Sequence, residues 1–284
     1  MDSDRASSPP RIPQNVSADE TVRRLLKLPV PRKFNIVRLR PADLPRAERF
    51  ETVADVGTRR INEAARLEEI DGLGRIAARL RACTPQARCT SVCCPSCSRK
   101  FRRWFICQAL RHERDLELQV LTVALELVPS NELSQINLSV LKRRTSQRIR
   151  RAAPSVRFVL GGIEADYRQT DDAFLVHAHL LVSRLPRDEV KALRSAFAEI
   201  GVTRAIKVQP LRDPVTQISY LLKFTTFHRP GSQNSSRRPS AIPLPSEALK
   251  QLTLWRAQHG FLDFVFMTGL RRRGGDLVQI EDAR

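Results

Sequence analysis

Two histidines flank a single alanine in the apolar run Phe174 to Val182 of this chain. On a strand, residues two apart share a face. His177 and His179 therefore project side by side, each offering a ring nitrogen to one metal ion. Farther on stands Tyr220-Leu221-Leu222-Lys223. If that stretch is helical, residues three apart are neighbours and Lys223 sits beside the Tyr220 hydroxyl. A metal, a tyrosine and a lysine together suit phosphodiester cleavage: the metal polarises the phosphate, the tyrosine attacks, and the lysine balances the developing charge. The chain has two tyrosines. Tyr167 lies near a strand end beside a polar turn, whereas Tyr220 lies in a helix-periodic stretch with a cation one turn on.

A histidine pair on a strand is often a pair of hydrogen-bonded core residues. Burying two unpartnered imidazoles among Leu175, Val176, Leu180, Leu181 and Val182 would be costly, and Glu164 on the preceding strand can supply a carboxylate oxygen. Two histidines and one carboxylate leave positions open for a phosphate oxygen, which favours exchangeable Mg²⁺ or Mn²⁺. The same set serves non-haem iron oxygenases, many of which carry a glutamate shortly after the second histidine. Val182, Ser183 and Arg184 stand there instead.

Five of the six cysteines fall between Cys83 and Cys97. A tight cluster reads as metal ligation rather than as disulfide staples. Cys94-Pro95-Ser96-Cys97 is a Cys-x-x-Cys knuckle. With Cys83 and Cys89 it completes four ligands for structural zinc, and Cys93 is an alternative to Cys94. After the cluster comes a basic helix from about Ser98 to Arg114. Its aromatics Phe101, Trp104 and Phe105 are expected inward and its cations Arg99, Lys100, Arg102 and Arg103 toward phosphates. A second basic run is Lys142, Arg143, Arg144, Arg148, Arg150 and Arg151.

With 49 basic and 30 acidic residues the formal charge is +19. That excess is too large for a typical metabolic enzyme and suits a polyanion, most often nucleic acid. There is no lipidation motif, no signal peptide and no apolar run of about 18 residues. The expected location is cytoplasmic, with no membrane partner.

The elements that must position these residues follow from periodicity. Residues 1–58 read as a mobile basic arm and 59–115 as a helical, cysteine-rich zinc module. Residues 116–228 read as strand, helix, strand, strand, helix, strand, helix. The first strand runs over Leu116 to Leu127 and the first helix over Asn131 to Arg151. A hairpin of Val156 to Tyr167 and Ala173 to Val182 turns at Gln169 to Asp172. The last helix opens at Asp213-Pro214 and runs to about Thr226. Residues 229–284 read as linker, helix and a basic tail beginning at Arg271. The class is α+β, and a βαββαβ core is the ferredoxin-like, split βαβ arrangement with an antiparallel sheet.

These motifs resemble the HUH-class rolling-circle replication initiators of small plasmids and phages. An apolar strand ending in threonine looks like Leu118 to Thr122. The histidine-hydrophobe-histidine motif looks like His177 to His179. Gly162-Ile163-Glu164-Ala165-Asp166-Tyr167 is similar to the strand that often precedes it. The tyrosine-x-x-lysine motif looks like Tyr220 to Lys223, and the upstream cluster has its counterpart in Cys94 to Cys97. The resemblance covers about Cys83 to Phe227. It implies nicking of single-stranded or hairpin origin DNA by Tyr220, a 5′-phosphotyrosine intermediate, and work alongside a host helicase and polymerase. A related transposase and relaxase class shares the cluster, the histidines and the tyrosine. A zinc-bearing, non-catalytic DNA-binding regulator is the reading outside enzymology. Some plasmid initiators carry a glutamate one helical turn before the tyrosine; here Thr216 and Gln217 occupy those places.

Overall fold

The computed structural model describes residues 51–113, 117–228 and 242–280. Helix α1 spans Val53–Glu68 and α2 spans Gly74–Arg81. A capping box starts α1: the Thr52 hydroxyl accepts from the Asp55 N–H while the Asp55 carboxylate accepts from the Thr52 N–H. The helix thus begins ahead of Arg59, inside the stretch expected to be a mobile arm; residues 1–50 lie outside the described residues. Gly72, with φ of 82°, makes the turn between α1 and α2, where a left-handed conformation favours glycine. Helix α3 spans Pro95–Glu113 and packs against α1. Its aromatics face inward as expected: Phe101 and Phe105 are fully buried and Trp104 nearly so.

Five strands form the main sheet. They are β1 (Leu118–Pro129), β2 (Val159–Arg168), β3 (Ala173–Ser183), β4 (Ile206–Pro210) and a late strand, β7 (Val265–Thr268). Their spatial order is β4-β1-β3-β2-β7, and every neighbouring pair is antiparallel. Helix α4 (Leu138–Ala152) connects β1 to β2, and α5 (Arg187–Ala196) connects β3 to β4. The two helices pack against each other. The Asn137 side chain caps α4 by accepting from the Ser139 and Val140 N–H groups. The expected helix from Asn131 is therefore shorter, with a separate 3₁₀ turn at Leu133–Gln135 ahead of it.

Helix α6 covers only Pro214–Ser219. It starts as expected, with Asp213 capping and Pro214 in the first turn. It does not run to Thr226. Tyr220 is its C-terminal cap residue, and residues 221–226 are irregular. The short strands β5 (Phe227–His228) and β6 (Ile242–Pro243) pair, and α7 (Ser246–Ala257) follows. Residues Arg271–Arg273, expected to begin a tail, instead lie on β8 (Leu270–Arg273), which turns at Gly274-Gly275 into β9 (Asp276–Gln279). This hairpin docks on α3, where the Trp104 indole donates to the Gly275 carbonyl at 2.7 Å and Gln108 bonds Asp276 and Leu277.

An aromatic cluster ties the C-terminal part to the rest. Phe101 of α3 stacks on Phe261 at 4.8 Å, and Phe224 meets Phe261 and Phe264 edge-on. Trp255 of α7 meets Phe264 at 5.1 Å. Such pairs contribute about 0.5–1.5 kcal/mol each beyond area burial. They place α3, α7 and the segment after Tyr220 in one packed layer.

Candidate metal centre and tyrosine segment

The register of three strands assembles the first cluster. Glu164 of β2 stands opposite His177 of β3, and Thr122 of β1 stands opposite His179. All share one face by the two-residue period. The ligand atoms of Glu164, His177 and His179 lie within 4.8 Å of one another. The two Nε2 atoms are 3.1 Å apart. Adjacent ligands on an octahedral ion with bonds of about 2.1 Å are about 3 Å apart, so the spacing fits one shared ion. The outer nitrogens are held as well. The His177 Nδ1–H donates to the Leu175 carbonyl at 3.2 Å, which leaves Nε2 bare, and His179 Nδ1 meets the Thr122 hydroxyl at 2.9 Å. Partners of this kind fix ring orientation and tautomer around a ligated metal.

Burial sets the charge of this group. It pushes the Glu164 carboxyl up to about 7, against the opposing pull of His177. Burial, with the nearby His177, Lys223 and Lys207 charges, pushes His179 down to about 3. His179 is thus neutral and able to ligate across the working pH range, while Glu164 holds its proton more tightly than a surface glutamate. Asp166, two residues on and exposed, puts Oδ2 3.8 Å from His177 Nε2. It adds a second carboxylate at the open side.

Residues 219–223 lie over this face. Gly162 leaves the room: a Cβ there would sit 3.0 Å from the Leu222 Cβ and closer still to the Leu221 carbonyl oxygen. The Lys223 N–H donates to Glu164 Oε1. The Lys223 ammonium lies 3.3 Å from the centroid of the Tyr220 ring, a cation–π contact. Tyr220 is 41% exposed. Tyr220 and Lys223 are thus neighbours, but through the ring face rather than the hydroxyl, and without the helix that was expected to bring them together. Tyr167 bonds Asp172 through its hydroxyl at 2.8 Å and points to the opposite face of the sheet by strand alternation.

The second cluster joins Cys83, Cys89, Cys94 and Cys97. The Sγ separations of Cys97 to Cys83 and to Cys89 are 3.6 and 3.7 Å. A tetrahedron with metal–sulfur bonds of about 2.3 Å has edges of about 3.8 Å, so these two separations, with all four sulfurs within 4.8 Å of one another, suit one tetrahedral ion. Cys94 rather than Cys93 belongs to the set. Cys93 is buried with its thiol against the Thr253 carbonyl at 3.5 Å, and burial pushes it up to about 11.

The basic residues divide. Arg102 is buried: it bonds a Glu51 carboxylate oxygen at 2.7 Å and the Ser219 carbonyl at 3.1 Å. Arg99 donates to the Glu51 carbonyl, and Lys100 and Arg103 are half-buried on the same helix. Lys142 donates to the Val265 carbonyl of β7. Arg143, Arg144, Arg150 and Arg151 are exposed, and Arg148 pairs with Glu199. Arg144, Arg148 and Arg151 line a groove of about 610 Å³ between α4 and α5.

Sequence reasoning missed Thr122 as the partner of His179, Gly162 as the seat of the tyrosine segment, and Asp166 at the rim. It also assigned Arg102 to the surface. The alternation of β1 could have put Thr122 on the histidine face, but nothing in the sequence links Arg102 to Ser219. Comparison with known proteins finds no matching family model, no matching curated protein and no matching solved structure. Among the described residues no helix is long and apolar enough to cross a membrane.

Proposed function

We propose that this chain is an HUH-type, single-tyrosine DNA endonuclease and strand transferase that initiates rolling-circle replication. The observation that carries the reading is the convergence of Glu164, His177 and His179 beneath a segment bearing Tyr220 and Lys223, tied to the same glutamate through the Lys223 N–H. The strand order β4-β1-β3-β2, all antiparallel, with both crossover helices packed together, supports a ferredoxin-like core. The charge of +19 supports a nucleic-acid substrate.

Glu164, His177 and His179 would hold Mg²⁺ or Mn²⁺, which supplies positive charge to a phosphate oxygen. The Tyr220 oxygen attacks phosphorus and gives up its proton. The P–O3′ bond breaks and O3′ takes up, through solvent, the equivalent of the proton lost by Tyr220, leaving a 3′-hydroxyl on one strand and a 5′-phosphotyrosine on Tyr220. Lys223 offsets negative charge near the phenolic oxygen. In the reverse step a 3′-hydroxyl attacks the phosphotyrosine and Tyr220 leaves. Gln217, one turn before Tyr220, has no free role: its Oε1 accepts from the Arg212 and Asp213 N–H groups and its Nε2 donates to the Pro210 carbonyl. The Cys83, Cys89, Cys94 and Cys97 cluster takes a structural zinc.

The test is to incubate the protein with labelled single-stranded hairpin DNA and Mn²⁺ and look for a covalent adduct. Tyr220→Phe removes the adduct and keeps DNA binding, whereas Tyr167→Phe keeps both. An adduct that follows Tyr167 overturns the assignment.

A further inference from the structure

An α-helix running through Tyr220 would be closed by one particular hydrogen bond, from the Lys223 N–H to the Ser219 carbonyl, four residues back. Both halves of that bond are taken by side chains from elsewhere. The Ser219 carbonyl accepts from Arg102 Nη2 at 3.1 Å, and the Lys223 N–H donates to Glu164. Helix α6 stops at Ser219, although the sequence through Lys223 has helical character.

We propose that Arg102 is a positioning residue that, together with Glu164, holds residues 220–223 out of the helix and so delivers Tyr220 and Lys223 to the metal face. The consequence for cleavage rests on the proposed function; the interception of the helical bond does not.

Arg102 is suited to this work because it is itself immobilised. It is 8% exposed and its Nη1 is held by Glu51, which also bonds Arg59 of α1. It lies on α3, whose first turn carries Cys97 and which Cys94 immediately precedes. A metal in the cysteine cluster therefore fixes the helix from which Arg102 reaches out. The far end of the segment is held in a like manner from two other helices. Arg256 of α7 donates to the Thr225 carbonyl at 2.8 Å, and the Thr226 hydroxyl donates to the buried Glu63 of α1. The cysteine module is thus built into the tyrosine segment's support.

The experiment compares Arg102→Met, Arg102→Lys and Arg60→Met in the full chain. Arg60 braces α1 against α2 through the Leu80 and Arg81 carbonyls and does not touch the segment. Two readouts are taken: single-turnover adduct formation on a single-stranded hairpin with Mn²⁺, and amide hydrogen exchange over residues 217–226. Arg102→Met lowers the single-turnover rate about 100-fold, the effect of a misplacement of about 1 Å. DNA and Mn²⁺ affinities stay within about twofold, and exchange at Leu221 to Lys223 changes while strands β1 to β3 keep their protection. Arg102→Lys, which cannot span Glu51 and Ser219 together, falls between Met and wild type and decides the matter if the Met variant does not fold. Arg60→Met keeps the wild-type rate per folded molecule. A wild-type rate and exchange pattern in both Arg102 variants overturns the proposal. If the wild type forms no adduct at all, the functional reading fails, and the exchange pattern alone decides the role of Arg102.

Discussion

Replacing Gly162 by alanine places a methyl group directly under the tyrosine segment. The added carbon would sit 3.0 Å from the Leu222 Cβ and closer to the Leu221 carbonyl oxygen, where ordinary contact begins at 3.4 Å. Something must give. Strand β2 is hydrogen-bonded on both sides, to β3 and to β7, so the irregular residues 220–223 yield instead. The displacement needed is roughly 1 Å, and a misplacement of that size costs about 100-fold in rate when the moved group is a nucleophile. Gly162 stands opposite His179 on β3, but the atoms nearest the added carbon belong to Leu221 and Leu222 and not to Glu164, His177 or His179. Single-turnover adduct formation by Gly162→Ala is therefore expected about 100-fold slower, with Mn²⁺ affinity by calorimetry within about twofold of wild type. Gly161→Ala provides the contrast. Its Cβ would drive into the backbone of β3, 2.7 Å from the Leu180 Cα, so the cost falls on folding, roughly 1–3 kcal/mol for overpacking. A folded Gly162→Ala variant that cleaves at the wild-type rate would refute the argument that the glycine seats the tyrosine.

His177→Ala or His179→Ala is expected to abolish divalent-ion binding by calorimetry and adduct formation while leaving the far-ultraviolet circular dichroism unchanged; retained binding in both would remove these residues from the site. Elemental analysis should find about one zinc per chain, and Cys94→Ser or Cys97→Ser should lose it and lower the melting temperature, since metal binding there is part of the folding free energy. The Glu164 carboxyl, raised by burial from 4.5 to about 7, makes the metal-free protein most stable below pH 4.5 as far as this group is concerned. That contribution, up to roughly 3 kcal/mol, is lost as pH rises through 7, and urea titrations in buffer without divalent cations should show it in wild type and not in Glu164→Gln. Neutralising Arg148, Arg150 and Arg151 together should weaken hairpin and random DNA alike and flatten the salt dependence, which for about six to ten phosphate contacts is 10³- to 10⁵-fold between 50 and 200 mM salt; a loss confined to the hairpin would make that run a sequence reader.

How much of this was legible in the sequence depends on whether the signal was local. The histidine pair, the hairpin and Glu164 were legible because strand alternation and one short turn settle which residues face each other. The cysteine cluster was legible as a group because its spacing is local, but the choice between Cys93 and Cys94 depended on which thiol met Thr253, a residue far along the chain. The strand β7 and the Arg271 hairpin were not legible. Arg271 to Arg273 reads as a charged tail, and its strand exists because Leu270 and Leu277 are buried and α3 supplies Trp104, Gln108 and Arg111 to hold the turn. The basic runs were over-read for the same reason. A charge count cannot tell that Lys142 reaches a carbonyl of β7 or that Arg102 lies in the interior.

The tyrosine segment is the instructive failure. Asp213, Pro214 and the apolar spacing of Ile218, Leu221 and Leu222 all favour a helix through Lys223, and local propensity has no reason to stop at Ser219. The stop is imposed by tertiary structure. Glycine on β2 lets Leu221 and Leu222 settle onto the sheet, Glu164 captures one amide, and Arg102 captures the carbonyl that amide would have bonded. Each capturing group is an ionisable side chain and buried, so leaving it without its backbone partner would cost more than one ordinary helical hydrogen bond contributes. A helix-forming sequence held in a non-helical shape by buried polar side chains marks a place where local and global preferences disagree, and such places concentrate at functional sites. Here the disagreement falls on Tyr220 and Lys223, at the rim of the two-histidine, one-carboxylate cluster.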